Sequence, residues 1–351
     1  MKIPQLSILV PVLNERQQLP ELIANLEKQA DVDCELLICD GGSTDGSLEW
    51  LQQLQSALPL RILHSPPGRG RQMNLAAEQA NGEWLLFLHV DSRFSDPLAL
   101  SKGLSILQQS FSKQLAGHFS LKFRRSTAEP SASYYYYEWK ARLGRPETIH
   151  GDQGFLLQRD FFFQLGRYRE DLPVMEDTDF AERLSEIGRW QLLPAELSTS
   201  ARRFEVEGLW QRQLLGALIM CFRDIGFTEF FDAAPDVYRQ QSKTGKLRIR
   251  PFFCLIRQLF AELNWRDRWR VWRRSGAYVR KHAWQLSFAI DARRAFRNGL
   301  PVGQGQPLFT RWFEPVYDLL TDNPVGRLLA TLLLYLWFLC TGVWLRTQEK
   351  T

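Results

Sequence analysis

Short apolar runs alternate with segments of helical period through the first 110 residues of the chain. The apolar runs have the length and composition of buried strands and cover residues 6–12, 35–39, 61–63 and 84–88. Between and after them, apolar residues recur at helical spacing in residues 19–29, 48–57, 72–80 and 98–109. This alternation predicts an α/β fold with a doubly wound, mostly parallel, Rossmann-like sheet.

Polar and charged residues follow the predicted strands directly. They are Asn14 and Glu15, Asp40, Arg69 and Arg71, and His89 and Asp91. Ligands of doubly wound sheets bind outside the carboxyl ends of the strands. We therefore expect these side chains to line a ligand site at that edge of the sheet.

The regular alternation ends near residue 113. Strands are predicted at 117–123 and 154–157, an aromatic helix or loop at 134–142, and a helix at 178–187 that opens with carboxylates. We place the end of the first domain near residue 205. An apolar, membrane-proximal helix follows within residues 206–240. Residues 241–351 form a basic, aromatic helical extension that contains an uncharged run at 328–345.

The net charge of +5 hides a strong asymmetry. Residues 241–282 carry a local charge of +10, which leaves −5 for the remainder. A basic segment of this kind seeks an anionic surface. Its aromatic residues fit a lipid interface or nucleic acid, but tryptophans beside apolar helices favour lipid, so no nucleic-acid partner is predicted.

The five cysteines form no CxxC pair and are too few to staple a chain of this length. We expect buried, reduced thiols and a cytoplasmic setting. The first residues, with Pro4 and Pro11 inside a short apolar run, are interpreted as a strand and not as a signal peptide.

The turn Asp40-Gly41-Gly42-Ser43-Thr44-Asp45-Gly46 has two interpretations from its residues. Its glycines allow a ligand to approach the backbone closely, and Asp40 at a strand end can accept hydrogen bonds from a nucleotide base or a ribose hydroxyl. Alternatively, the polar residues only cap the turn and the helix that follows.

Five segments, in this order, resemble family 2 glycosyltransferases of the GT-A fold. They are SILVPVLNE, CDGGSTDGS, GRGRQMNLAAEQANGEWLLFLHVD, GDQGFLLQRDFF and MEDTDFAERL. The resemblance extends over about residues 5 to 225. Within that family the segments are most similar to the bacterial subgroup known as arsenosugar-biosynthesis-type glycosyltransferases.

The resemblance implies a nucleotide-sugar donor, with UDP-sugars favoured, and assigns roles to individual residues. Pro11, Asn14 and Glu15 would border the nucleotide, and Asp40 would bind the base. Arg69 and Arg71 would lie near the diphosphate, where guanidinium groups pair with phosphate oxygens.

A divalent cation, Mg²⁺ or Mn²⁺, is also implied. Asp91 would be the last residue of the metal-binding motif that the family usually writes as Asp-x-Asp. Here the first Asp is replaced by His89, which would either ligate the metal, favouring Mn²⁺, or serve as a hydrogen-bonding or packing residue.

The same resemblance places catalysis at Glu176 and Asp177, with Asp177 as the general base. The start of a helix keeps such carboxylates ionised. His150 and Asp152 would line the acceptor side. One base without a second nucleophile implies inversion at the anomeric carbon. The residues after Trp210 lack the Gln-x-x-Arg-Trp element of processive synthases, so we expect one sugar per encounter.

Two other interpretations remain. The domain could bind a nucleotide sugar or scaffold a membrane complex without efficient turnover, since His89 replaces a carboxylate; or it could transfer nucleotides, although no Gly-rich phosphate loop follows the first strand.

For location, the basic segment and the run at 328–345 predict a cytoplasmic membrane enzyme with its catalytic domain, residues 1–205, inside the cell. Residues 328–345 could span the bilayer or lie in its interface, or could pack as a buried hairpin in a soluble chain. A lipid-linked acceptor would suit this location.

Overall fold

The chain is seen in a computed structural model that describes residues 3–172, 174–241 and 245–348. It divides into two compact units. Unit 1 comprises Met1–Arg124 and Ser133–Ser200, and unit 2 comprises Arg125–Ala132 and Ala201–Thr351. Lys243 of the predicted basic segment lies outside the described residues.

Unit 1 is built on one sheet, which has eight strands in the described residues. In chain order the strands are β1 (Leu6–Val12), β2 (Cys34–Asp40), β3 (Leu60–His64), β4 (Trp84–Phe87), β5 (Arg93–Phe94), β6 (Leu115–Arg124), β7 (Phe155–Gln158) and β8 (Arg189–Ser200). Their spatial order is β3-β2-β1-β4-β7-β6-β8-β5.

The first four predicted strands form the parallel half of this sheet. β1 pairs with β2 and with β4, and β2 pairs with β3, all in parallel. β7 runs antiparallel to both β4 and β6, and β5 runs antiparallel to β8, so the complete sheet is mixed. The predicted α/β, GT-A fold class is confirmed; beyond β4 the pairing is antiparallel except between β6 and β8, which are parallel.

Helices cover both faces of the sheet in unit 1. The helices are α1 (Leu19–Leu26), α2 (Ser47–Gln53), α3 (Arg69–Gln79), α4 (Ala99–Gln108), α5 (Ala132–Lys140), α6 (Arg159–Gln164) and α7 (Glu176–Ile187). Along β1, Ile8 and Val10 join the core beneath α1, α2 and α4, whereas Leu9 joins the core beneath α3, α6 and α7. Both faces of β1 are therefore buried, which explains its nearly continuous apolar sequence.

Strand β8 and helix α6 are absent from the sequence prediction. β8 contains Pro194, which cannot donate a hydrogen bond to a neighbouring strand. The register between β6 and β8 shifts at this point, since Phe119 pairs with Leu193 and Ser120 pairs with Glu196. Pro194 and Ala195 therefore occupy a bulge, which lets a proline lie inside a long strand.

Unit 2 is helical in its described residues. Its helices are α8 (Arg202–Glu207), α9 (Leu209–Asp224), α10 (Glu229–Arg239), α11 (Arg250–Glu262), α12 (Trp265–Lys281), α13 (Trp284–Arg297), α14 (Leu308–Thr321) and α15 (Pro324–Gln348). A phenylalanine-rich core links α9, α10 and α11 to α15. The predicted helical extension is thus confirmed as helical.

Within α15, Pro324–Thr347 is the one helical segment of the described residues that is long and apolar enough to cross a membrane. Only 17% of its most apolar 18-residue stretch is buried, whereas a helix in a protein core is mostly buried.

The prediction that all five cysteines are buried was wrong in part, because Cys254 and Cys340 are exposed whereas Cys34, Cys39 and Cys221 are buried.

Candidate active site

The turn after β2 is fastened to the end of β1 by Asn14. Asn14 has a φ of 57°, a conformation that Asn adopts more readily than most residues. Its backbone N donates to Ser43 Oγ at 2.9 Å, and its Oδ1 accepts from the Thr44 amide at 2.8 Å. Asp40 is buried and its Oδ2 accepts from the amides of Gly42 and Ser43. The Asp40 carboxylate thus holds the turn, and its binding of a base remains a prediction.

Gln72, on α3, ties the ends of β1 and β2 together. Its Nε2 donates to the carbonyl oxygens of Val12 at 2.8 Å and Cys39 at 2.7 Å. Pro11 lies inside β1 opposite Cys39, and the Glu15 amide donates to Ser47 Oγ at 3.2 Å. Sequence reasoning missed Gln72, because a single glutamine within a helical pattern carries no signal of burial.

The start of α3 brings one arginine to the catalytic candidates and directs another away. Arg69 Nε lies 3.1 Å from Glu176 Oε1, at ion-pair distance. Arg71 Nε lies 3.3 Å from Glu170 Oε2 instead. Between them, a Cβ on Gly70 would lie 3.1 Å from the Arg169 carbonyl oxygen, so glycine allows α3 to approach that segment closely.

Asp91 is held by the last residues of β8. Its Oδ2 accepts from Thr199 Oγ1 at 3.0 Å and from the Ser200 amide at 3.2 Å, and its carbonyl oxygen accepts from Arg124 Nη2 at 2.7 Å. Asp91 is half-buried. The sequence analysis missed Thr199 and Ser200 because it missed β8.

A divalent cation would find few ligands from the protein here. No group of three or more His, Cys, Asp or Glu side chains is arranged to hold a metal among the described residues. Within the described part of the chain, Oδ1 of Asp91 makes no hydrogen bond, whereas Oδ2 accepts from Thr199 and Ser200. This arrangement fits Mg²⁺ or Mn²⁺ only if phosphate oxygens and water supply most of the coordination, as they commonly do for these ions.

Asp177 and His89 meet at Gly151. The Gly151 amide donates to Asp177 Oδ2 at 2.7 Å, and the Thr178 amide donates to Asp177 Oδ1 at 2.8 Å. A Cβ on Gly151 would lie 3.0 Å from Asp177 Oδ2 and 3.2 Å from His89 Nε2. Glycine therefore lets these two side chains converge closely on the backbone at this position.

The two carboxyl groups that open α7 differ in their preferred charge state. Burial favours a neutral Asp177, but Arg69, His150, the Gly151 amide and His89 outweigh it and lower the pKa of Asp177 below its usual value. Burial raises the pKa of Glu176, against the opposing effect of Arg69. Asp177 is accordingly the more acidic member of the pair.

His150 and Asp152 flank Gly151. His150 Nδ1 lies 3.3 Å from Thr178 Oγ1, and burial lowers the pKa of His150. Burial, together with the charges of Asp177 and Asp91, raises the pKa of Asp152 to about 7. Oδ1 of Asp152 has no hydrogen-bond partner among the described residues.

The predicted site residues thus fall into three places. One electrostatically linked group, of which Asp177 and His89 lie closest to Gly151, contains Arg69, His89, Asp91, His150, Asp152, Glu176 and Asp177. Asn14 and Asp40 lie at the turn beyond β1 and β2. Arg71 forms an ion pair with Glu170, and no contact among the described residues links it to Glu176 or Asp177.

Comparison with solved structures finds distant likenesses. The chain aligns with residues 1–349 of TarS from S. aureus in complex with UDP at 16% identity and a TM-score of 0.49, covering 84% of this chain and 92% of that one. It aligns with the mannosyltransferase PcManGT from Pyrobaculum calidifontis, in complex with GDP-Man and Mn²⁺, at 16% identity and a TM-score of 0.47, covering 98% and 88%.

Sequence comparison is more specific. Residues 7–166 match the family described as "Glycosyl transferase family 2". A PGL/p-HBAD biosynthesis glycosyltransferase from Mycobacterium bovis is 34% identical over 183 residues, which cover 51% of this chain and 69% of the relative. This chain is therefore a glycosyltransferase and belongs to glycosyltransferase family 2.

Proposed function

We propose that this enzyme transfers one sugar from a nucleoside diphosphate donor to an acceptor hydroxyl with inversion at the anomeric carbon. The observation that carries the proposal is Asp177. It is a carboxylate with a lowered pKa, fixed by two backbone amides and electrostatically linked to an arginine and two histidines. A general base needs this combination of fixed position and ionised state.

In the proposed reaction, an oxygen of Asp177 accepts the proton of the acceptor hydroxyl. The hydroxyl oxygen forms a bond to the anomeric carbon while the bond from that carbon to the diphosphate oxygen breaks, and the diphosphate leaves with the electron pair. Arg69 lies close enough to the carboxylates to influence them and is half-exposed. It would stabilise the leaving group's charge in the transition state.

The donor's nucleotide would lie along the carboxyl ends of β1 and β2. Pro11, Asn14, Glu15 and Asp40 would form its border, and the positive N-terminal end of α3 with Arg69 and Arg71 would face the diphosphate. UDP-sugars are the favoured donors. A divalent cation held by Asp91 would neutralise part of the diphosphate charge, with His89 as its second ligand or as a neighbour of Asp177.

The acceptor would approach from the side of His150 and Asp152. A lipid-linked acceptor is proposed because unit 2 carries an apolar helix and a basic segment. Residues 1–205 would then act as the catalytic domain at the cytoplasmic face of the membrane. The basic residues support that side of the membrane, since cytoplasmic segments near a bilayer are enriched in Lys and Arg.

The test is a product screen. Purified enzyme with Mn²⁺ would be incubated with UDP- and GDP-sugars and a bacterial lipid extract, and products would be identified by mass spectrometry. Transfer of a single sugar, with an anomeric configuration by NMR opposite to that of the donor, is expected. Release of nucleotide monophosphate with phosphosugar transfer, or retention of configuration, would contradict the proposal.

A further inference from the structure

A cavity lined by arginines lies beside helix α12 in unit 2. It has a volume of about 390 Å³ and is lined by Arg266, Trp269, Arg270, Arg273, Arg274, Ala277 and Arg327. No acidic residue of the described chain is among its lining residues. Five arginines at one cavity concentrate positive charge on this part of the surface, which favours phosphate groups.

Neighbouring acids balance these arginines only in part. Arg270 pairs with Asp267 at 2.7 Å, and Arg327 pairs with Asp322 at 2.8 Å. Arg273 makes no ion pair or hydrogen bond with the described residues. The cavity therefore retains uncompensated positive charge.

The cavity adjoins the apolar helix α15, which packs antiparallel to α12. Gly276 faces Thr331 with no room for a Cβ, so the two backbones approach closely there. Trp272, which precedes Gly276 on α12, has its ring 5.2 Å from that of Tyr335 and 5.6 Å from that of Phe338, both of which follow Thr331 on α15. These contacts fix which part of α12 lies beside which part of α15.

The contacts place arginines beside the middle of α15. Tyr335 and Phe338 lie near the centre of Pro324–Thr347, and Trp272, which contacts them, precedes Arg273 and Arg274 directly on α12. If α15 crossed a bilayer, these guanidinium groups would lie near the hydrocarbon centre. Charged side chains at that depth are costly and rare.

The opposite face of α15 is apolar and exposed. Phe338 and Leu345 are buried in the core of unit 2, whereas Leu329, Leu333 and Leu336 are exposed, as are further leucines, valines and aromatic residues along α15. Helix α14 adds a second exposed apolar face with Trp312, Leu319 and Leu320, of which Leu319 is 83% exposed. Apolar helix faces bordered by basic groups are typical of segments that lie in the membrane interface.

We propose that α14 and α15 lie in the plane of an anionic phospholipid leaflet without crossing it, and that the arginine cavity binds a phospholipid phosphate. The proposal rests on the membrane association given under Proposed function and specifies that this association is interfacial. The exposed leucines enter the acyl region, while Arg273 and its neighbours remain at the level of the headgroups. Charge complementarity identifies the occupant as an anionic lipid.

Vesicle flotation tests the cavity. The full chain is expected to bind vesicles of phosphatidylcholine mixed with phosphatidylglycerol, and to bind pure phosphatidylcholine weakly. The double variant Arg266→Glu/Arg273→Glu should raise the apparent Kd about tenfold or more, since each basic residue near anionic lipid contributes substantially. The double variant Arg293→Glu/Arg297→Glu, which changes two exposed arginines on α13 and alters the net charge by the same amount, is the matched control and should change the Kd less than about twofold.

Equal effects of the cavity and control variants would overturn the cavity site. Inorganic phosphate should displace the protein no better than chloride at the same ionic strength; selective displacement would indicate a free-phosphate site instead. Tighter binding to a single-stranded oligonucleotide than to the vesicles, lost in the double variant, would assign the cavity to nucleic acid and overturn the proposal.

Cysteine labelling tests the orientation of α15. Val325→Cys and Thr347→Cys would be made separately after Cys254 and Cys340 are replaced by serine; both new positions are exposed. They are separated by about 33 Å along the helix, close to the thickness of a bilayer core. In sealed inverted membrane vesicles, a membrane-impermeant maleimide should label both cysteines, and in right-side-out vesicles neither. Labelling of one in each would establish a spanning helix and contradict the proposal.

Donor binding separates this inference from the proposed function. Each variant would be titrated with UDP-sugar, and unchanged affinity is expected because the substitutions lie in unit 2. A cavity variant that loses vesicle binding but retains sugar transfer would show that the arginine cavity serves membrane binding and not the transfer reaction. Absence of sugar transfer in the parent protein would contradict the proposed function, while the vesicle results would still stand.

Discussion

Asp152 lies in surroundings that favour its protonated form. Burial and the neighbouring charges of Asp177 and Asp91 raise its pKa to about 7, and Arg69 opposes them only weakly. Near neutral pH the folded protein therefore holds a proton on Asp152 that an unfolded chain would release. A neutral carboxyl group in this position can donate a hydrogen bond to a substrate oxygen.

Asp152→Asn should therefore alter the pH dependence of stability. Between about pH 4 and pH 7 the folded wild type binds more protons at this site than the unfolded chain, so stability falls as pH rises through that window. Asparagine cannot ionise and removes this loss. We expect the variant to gain at least ~1 kcal/mol relative to wild type between pH 5 and pH 8 in urea unfolding. A difference that is constant with pH would contradict the raised pKa.

Asp91 and His89 can be separated by metal-dependent donor binding. Asp91→Ala should abolish the enhancement of UDP-sugar binding by Mn²⁺. The substitution removes Oδ1, the carboxylate oxygen that does not accept a hydrogen bond from Thr199 or Ser200 and can therefore ligate the metal. His89→Asp should preserve it. Calorimetry with and without Mn²⁺ measures both. If both variants bind donor as the wild type does, Asp91 is not a metal ligand.

At the scale of elements, hydrophobic periodicity predicted the parallel half of the sheet and the helices that cover it. β1, β2 and β4 are buried on both faces, and their apolar runs stand out clearly in the sequence, whereas β3 is only partly buried. β8 was missed because Pro194 interrupts its pattern, and only the bulge opposite Phe119 and Ser120 makes room for it. A bulge depends on the partner strand, which a local pattern does not contain.

The candidate site was predictable to different degrees for the same reason. Residues after β1 and β2 adjoin one another because these strands are neighbours in a parallel sheet, whereas His89 and Asp91, after β4, belong to the group that includes Asp177. The approach of Gly151 to Asp177 depends on long-range packing of α7, and family resemblance alone indicated those residues. Gln72, Thr199 and Ser200 act through contacts that connect distant parts of the chain, so no local pattern predicts them.

Gln72 provides a test of how the elements that carry the site are held together. In Gln72→Leu the carbonyl oxygens of Val12 and Cys39 lose a buried donor. We expect a loss of about 2 to 3 kcal/mol in the free energy of unfolding and weaker donor binding, because the turn after β2 loosens. Gln53→Leu, an exposed glutamine on α2, is the control and should change stability by less than about 0.5 kcal/mol. Equal stability of the two variants would show that the bridge is unimportant.

At the scale of the whole molecule, the basic segment and most of the exposed apolar side chains lie in unit 2. The basic segment and the exposed face of α15 both belong to unit 2, whereas the candidate catalytic residues belong to unit 1. We therefore expect unit 1 to carry out the transfer reaction and unit 2 to attach the enzyme to the membrane.

Fractionation of cells tests this division. The full chain should sediment with membranes, and a chain that ends at Arg203 should remain in the supernatant, because it lacks α9 to α15. Immunoblotting of both fractions measures the distribution, and circular dichroism checks that the shortened chain is folded. A full-length protein found wholly in the supernatant would contradict membrane attachment.

The central claim, that Asp177 is the general base of a sugar transfer, is tested most directly by the kinetics of Asp177→Asn. With a hydroxyl acceptor, kcat should fall about a hundredfold or more, while the donor Kd should stay within about threefold of wild type. Asp160→Asn, which changes an exposed acid in the first turn of α6, is the control and should leave kcat unchanged. Wild-type turnover in Asp177→Asn would contradict the account.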